Sequence, residues 1–315
     1  MEKCIEGAKA IIEKQVREKE ISVFGVAFSS YYKTYCWTNE LIAEYLKLAD
    51  LSEKDNALSV LASGDHAFNL ITEGITNIDT FDSNKLTEYF ALGFKRAMIL
   101  KYNYPEFLQN MRILCNSKTD INTISDILYG LLPYMDIRIR KYWETILDYN
   151  YKLQKENGSN LNLLYLLCVN IGHLGYKECN NYLKDEKSYN KLRNRLASAN
   201  ITFKNANANN LHNEFKGEYD IILLSNILDY FFKYWGNNWE YDKLLSYEKQ
   251  LENICKNDAI IFLHYNLYMA QINPTTFGES NIKIEDLKNE EVLRLGHDHG
   301  GVPTGIVLKR IKKGI

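Results

Sequence analysis

The sequence predicts an α/β fold: a doubly wound, mostly parallel sheet of seven strands, closed by an antiparallel hairpin. Three observations carry that expectation. Short apolar runs alternate with helical stretches from residue 57 onward, and the first run ends in a glycine turn. The chain then finishes in two strands around Gly300-Gly301-Val302-Pro303. Alternation of strand and helix builds parallel sheets through right-handed crossovers, and a terminal hairpin adds antiparallel strands at the edge.

The elements follow in order. Ala57 to Ala62 is a continuous apolar run, broken by Ser63-Gly64-Asp65. A helix runs from His66 to about Glu73, where Gly74 stops it, and Asn77 to Asp82 forms the second strand. Ser83-Asn84 serve as a cap for a long helix over Lys85–Tyr102. Ile201 to Ala206 makes a third strand and Tyr219 to Ser225 a strongly apolar fourth. A helix over about 241–255 leads to the fifth strand, Ala259 to His264, and Val292–Leu295 with Gly305–Arg310 make the closing pair.

Two helical regions interrupt this rhythm. Residues 1–56 read as a cap, with Ala8, Ile11, Ile12 and Val16 at helical spacing and Asn39 as the N-cap of a second helix reaching Leu48. The aromatic connector between them, Phe24 to Trp37 with Tyr31, Tyr32 and Tyr35, is either core packing or a lid over a ligand. Residues 105–200 read as a helical insertion on the acceptor side, with Leu161–Val169 ambiguous between strand and helix. The sheet domain is therefore split, over 57–104 and 201–315.

Composition removes several classes. The 315 residues are 46% hydrophobic and 25% charged, enough for a large core. The 38 basic and 40 acidic residues leave a net charge of −2, which argues against a nucleic-acid partner. Four prolines and 17 glycines are too few for a linker-rich or disordered chain. The first residues carry no apolar signal-peptide core, and no apolar run approaches the ~20 residues of a spanning helix. Six cysteines without a C-x-x-C pair point to reduced thiols, hence a cytoplasmic location, and to no structural zinc.

Ligands of doubly wound sheets bind at the carboxyl ends of the strands, where the strand order reverses. The informative residues are therefore strand ends. Ser63, Gly64, Asp65 and His66 form the turn after the first strand, where a glycine lets backbone approach a ligand closely. Asp82 ends the second strand, placed to accept both hydroxyls of a ribose, with Phe81 and Ser83 flanking an adenosine. Asn207 after the third strand faces an adenine edge. Ser225 and Asn226, after the fourth, face the reacting centre, where Asp229 and Tyr230 orient or deprotonate a nucleophile. His264, at the end of the fifth strand, is a general base or a structural histidine. His297 and His299 in the hairpin face solvent, and no metal is expected.

Five parallel strands with a closing antiparallel hairpin are the architecture of class I S-adenosylmethionine (SAM)-dependent transferases. Within it, residues 58–66, 77–84, Tyr89-Phe90-Ala91-Leu92 and 224–230 resemble the betaine-lipid synthase-like family, across about residues 25–311. Its best-known members are SAM:diacylglycerol 3-amino-3-carboxypropyl transferases. The large insertion between the second and third strands fits that family. The resemblance implies SAM binding through Gly64, Asp65 and Asp82.

The expected function is transfer of a methyl or 3-amino-3-carboxypropyl group from SAM to a small-molecule or lipid-like acceptor. Two alternatives stand beside it. A nicotinamide-dependent oxidoreductase also places an acid after its second strand, but the chain lacks G-x-G-x-x-G. A non-catalytic SAM-binding or scaffold protein with a degenerate transferase fold would retain Gly64 and Asp82.

Overall fold

The computed structural model describes residues 1–17, 31–169, 178–228, 241–265, 290–297 and 303–312. Its centre is a seven-stranded mixed sheet. The strands are β2 (Asn56–Val60), β3 (Asn77–Asp82), β5 (Asn200–Asn205), β6 (Tyr219–Leu223), β7 (Cys255–Tyr265), β8 (Glu291–His297) and β9 (Pro303–Arg310). Across the sheet they run β5-β3-β2-β6-β7-β9-β8. The first five are mutually parallel, whereas β9 pairs antiparallel with both β7 and β8. The sheet is Rossmann-like and mixed. Its order reverses between β2 and β6, where β2 meets β3 on one side and β6 on the other.

Both faces of the sheet are covered, which is why its central strands read as unbroken apolar runs. Ala57, Ile221, Leu223, Ile260 and Phe262 point into one core. Leu58, Val60, Ile222, Leu224, Ile261 and Leu263 point into the other. The second core is closed by α10 (Leu211–Glu214) and α11 (Tyr241–Glu252), through Leu211, Leu244, Tyr247 and Leu251. The first receives α3 (Asp65–Glu73), through Ala67, Phe68, Leu70 and Ile71.

Helices α1 (Glu2–Arg17), α5 (Tyr104–Leu114), α6 (Ile121–Tyr129), α7 (Ile137–Glu156), α8 (Leu163–Leu167) and α9 (Glu186–Leu196) add to that first core. Their starts follow capping rules. Asn103 and Glu106 form a reciprocal capping box, and Asp120, Asp136, Asn162 and Asp185 each accept an amide of the first turn. The ambiguous run 161–169 divides into α8 and a two-residue strand, β4 (Cys168–Val169). That strand pairs in parallel with β1 (Thr34–Tyr35), and α1 packs on α7 and α8.

Two local expectations need correction. Asn39 caps nothing: the short α2 (Ile42–Tyr45) starts after Leu41 without a side-chain cap and passes into a 3-10 turn, Leu46–Leu48. Residues 85–102 are also not one regular α-helix. Glu88–Lys95 is π-helical and only then gives way to α4 (Arg96–Lys101). A π segment carries an extra residue per turn, which rotates the side chains that follow it around the axis. Among the described residues, no helix is long and apolar enough to cross a membrane.

Candidate functional site

The two strands at the order reversal end in the same unusual way. Ala62 follows β2 with φ +42° and Ser225 follows β6 with φ +59°. Non-glycine residues in this left-handed region cost about 1–3 kcal/mol and persist where their surroundings over-determine them, which is often at functional sites. Gly64, at φ +85°, caps α3 from the same loop, and its N–H donates to the Leu61 carbonyl at 2.6 Å. A Cβ on Gly64 would lie 3.0 Å from both the Ala91 Cβ and the Phe68 ring. Glycine is required there by conformation and by space.

The turn is held from beneath by Asp65, which has no solvent exposure. Its carboxylate accepts from Lys95 Nζ at 2.5 Å, Tyr182 Oη at 2.6 Å, the Thr38 amide at 2.7 Å and Ser63 Oγ at 2.8 Å. Lys95 is equally buried and also donates to the Cys36 carbonyl at 2.9 Å, 4.1 Å from the centre of the Trp37 ring. Ser63 and Asp65 therefore spend their polar atoms inside the protein. Their part in a site is to shape the Gly64 turn.

Asp82 sits differently. At the end of β3, its Oδ2 accepts the Ala62 amide at 3.0 Å and its Oδ1 the Asn84 amide at 2.8 Å. Each oxygen keeps lone-pair capacity for a further donor. Burial pushes this carboxyl up to about 6, against the pull of the backbone amides of Asn84, Ala62 and Ser83. Asn205, at the end of β5, donates to the carbonyls of Asp82 and Ser83 and fixes that turn. Tyr32 reaches over it, its hydroxyl 3.1 Å from Ser83 Oγ. From the same aromatic connector, Trp37 is core, set edge-on to Phe107.

Phe81 requires correction. Its ring is 1% exposed and packs on Phe215 in the core of the opposite sheet face, so it cannot flank a ligand beside Asp82. Adjacent strand residues point to opposite faces, and Asp82 and Phe81 divide that way. Asn207 is half-buried and caps the turn Ala208–Asn210, its Oδ1 accepting the Asn209 amide at 3.3 Å.

Glu40 is the residue sequence reasoning missed. It is buried, and its Oε2 lies 3.1 Å from His66 Nε2 while its Oε1 accepts from Ser225 Oγ. One carboxylate thus joins the turn after β2 to the turn after β6. Ser225 Oγ also lies 3.3 Å from Asn226 Oδ1, and the Tyr265 amide donates to the Ser225 carbonyl at 3.0 Å. His66 Nδ1 is buried without a hydrogen-bond partner among the described residues.

No protein-family model and no curated protein matches this chain. The site therefore rests on its own chemistry. Asp229 and Tyr230 lie outside the described residues, as does His299. His264 is buried on β7, and desolvation pushes its imidazole down to about 4, so it is a weak base at neutral pH. Among the described residues, no group of three His, Cys, Asp or Glu side chains is arranged to hold a metal ion.

Lys95 was missed as well, and each of the two carries a signal in the sequence. The stretch 89–100 is apolar apart from Lys95 and Arg96, so a lysine buried within it must have a partner. Glu40 directly precedes the apolar run Leu41-Ile42-Ala43, where a buried acid implies a tertiary partner.

Proposed function

We propose that the chain is a SAM-dependent transferase, moving a methyl or 3-amino-3-carboxypropyl group to a small-molecule or lipid-like acceptor. The observation that carries the reading is the placement of Asp82. In a Rossmann-like sheet of this order, it is the carboxylate at the end of the strand beside β2, against the Gly64 turn at the reversal point. That is where an adenosyl ligand's ribose hydroxyls find an acceptor. The resemblance to betaine-lipid synthase-like sequences supports the same assignment.

The residues present fit the ligand. Asp82 has acceptor capacity left on both oxygens, the glycine turn opens an α-helix, and Asn207, Ser225 and Asn226 retain partial exposure. SAM supplies a carbon activated by a sulfonium: the acceptor's lone pair bonds to that carbon, and the carbon–sulfur pair stays on sulfur. The protein's contribution is to hold two partners in one cleft, which removes much of the entropy of a bimolecular step. Ser63, Asp65, Lys95 and Tyr182 keep the turn rigid for that purpose.

Six buried cysteines, none of them in a disulfide, fit a reducing cytoplasm, and near-neutral charge fits an acceptor other than nucleic acid. The test is incubation of the purified chain with SAM and a lysate extract, followed by mass spectrometry of the adenosyl by-product. Methylthioadenosine identifies aminocarboxypropyl transfer and adenosylhomocysteine identifies methylation. Tight SAM binding without either product identifies a sensor or scaffold, and overturns the transferase reading.

A further inference from the structure

We propose that His66 is the general base of the transfer, with Nδ1 as its working nitrogen and Glu40 as the carboxylate that orients it. The proposal rests on the transferase reading and adds to it the group that receives the acceptor's proton.

The geometry sets the tautomer. A carboxylate oxygen only accepts, so the hydrogen bond from His66 to Glu40 Oε2 places the ring proton on Nε2. Nδ1 of the neutral ring then carries the lone pair. That atom is buried and meets no partner among the described residues. Such an atom is costly to leave unsatisfied, and a donor brought by a substrate removes the cost.

The surroundings favour a base here. Among the described residues against Glu40, His66 is the one able to take a positive charge. The phenols of Tyr45 and Tyr265 and the thiol of Cys179 are pushed up by burial and stay neutral at pH 7. The neighbouring Asp65 is already paired with Lys95. A proton taken up on Nδ1 during transfer leaves a cationic ring already hydrogen-bonded to the Glu40 carboxylate. Burial pushes the His264 imidazole down.

Position agrees with chemistry. His66 stands in the first turn of α3, two residues after Gly64, and Glu40 ties it to Ser225 at the end of β6. Both strand ends border the order reversal. During transfer, the acceptor's X–H bond breaks as its lone pair forms the new bond to carbon. The proton passes to His66 Nδ1, the displaced electron pair stays on sulfur, and the imidazolium later releases the proton to water. Nothing is oxidised or reduced.

The first test needs no turnover. Long-range proton–nitrogen NMR on histidine-labelled protein, with His66 assigned by its loss in His66→Gln, reads the protonation of each ring nitrogen against pH. The expected result is Nε2 protonated and Nδ1 bare at pH 8. Glu40→Ala removes the acceptor that fixes the proton on Nε2 and should let both ring tautomers populate, read as a convergence of the two nitrogen shifts. Saturation with S-adenosylhomocysteine should move the Nδ1 resonance. A protonated Nδ1 at pH 8, or a tautomer ratio indifferent to Glu40→Ala, overturns the proposal.

The second test uses SAM and lysate extract. His66→Gln should bind SAM within about threefold of wild type yet form by-product about 100-fold more slowly, the usual size of a general-base contribution. Loss of binding instead makes His66 a ligand-holding residue and ends its role as base. If the wild-type chain itself forms no by-product, the transferase reading fails and the base falls with it. The NMR result then still tells an oriented dyad from a structural contact.

Discussion

Lys95 Nζ meets Asp65 Oδ1 at 2.5 Å with both side chains fully buried. The pair joins the end of the π-helical segment to the first residue of α3. Three further donors complete the carboxylate, from Ser63, Thr38 and Tyr182, so the charge is compensated from the turn, the N-terminal segment and the insertion at once.

Removing one partner should therefore be severe. Lys95→Met leaves a buried carboxylate without its cation and is expected to cost about 3–5 kcal/mol. Urea unfolding followed by circular dichroism measures it. A loss below about 1 kcal/mol would show that the three neutral donors suffice.

Asp82→Ala should abolish SAM binding while the protein stays folded. Ribose hydroxyls donate to the ionised carboxylate, and burial pushes that carboxyl up to about 6. Affinity should accordingly rise as pH increases through about 6, with a slope that Asp82→Asn removes. Calorimetric titration at several pH values reads both effects, and unchanged affinity in Asp82→Ala would falsify the ribose placement.

Asp82 and His264 should tilt stability in opposite directions over nearly the same pH range. Asp82 is raised from 3.8 to about 6, so its contribution is complete below 3.8 and is lost as pH rises through 6. His264 is lowered from 6.5 to about 4, so its contribution is complete above 6.5 and is lost as pH falls through 4. Each is worth roughly 3 kcal/mol at full extent. The buried Glu248, raised from 4.5 to about 7 by desolvation, acts in the same sense as Asp82. The difference in unfolding free energy between each variant and wild type, followed from pH 4 to 7, isolates one group. Asp82→Asn should gain on wild type as pH rises, and His264→Phe should lose. Curves parallel to wild type would refute both assignments.

Gly64→Ala places a Cβ in a left-handed residue, against Ala91 and Phe68 at 3.0 Å. A stability loss of about 1–3 kcal/mol is expected, together with weaker SAM binding. The check is thermal melting with and without SAM. A melting temperature equal to wild type would mean the turn relaxes without cost.

The central strands of the sheet are legible as short apolar runs, and the outer parallel ones as β-branched and aromatic residues alternating with polar ones between turns. Asn77–Asp82 was expected and found residue for residue, and Asn200–Asn205 differs by one position. The site was less legible, because its polar groups answer to tertiary partners. Phe81 and Asp82 are adjacent in sequence and serve opposite faces, and Ser63 and Asp65 turn inward to a lysine thirty positions away. Glu40 shares no periodicity with anything it touches. The two-residue pairing of β1 with β4 is too short to leave any pattern.

That short pairing also bears on the order in which the molecule assembles. Thr34 Oγ1 meets Cys168 Sγ across 134 positions, and Glu40 reaches Ser225 across 185. The glycine turn is local, complete within a few residues of β2, whereas its clamp closes over most of the chain. During synthesis, the segment around residues 34–40 must wait for partners made far later. Contacts of such long range are slow to form, because loop closure comes before any gain from them. Competence to bind should consequently appear after compaction, as the last and slowest phase of refolding.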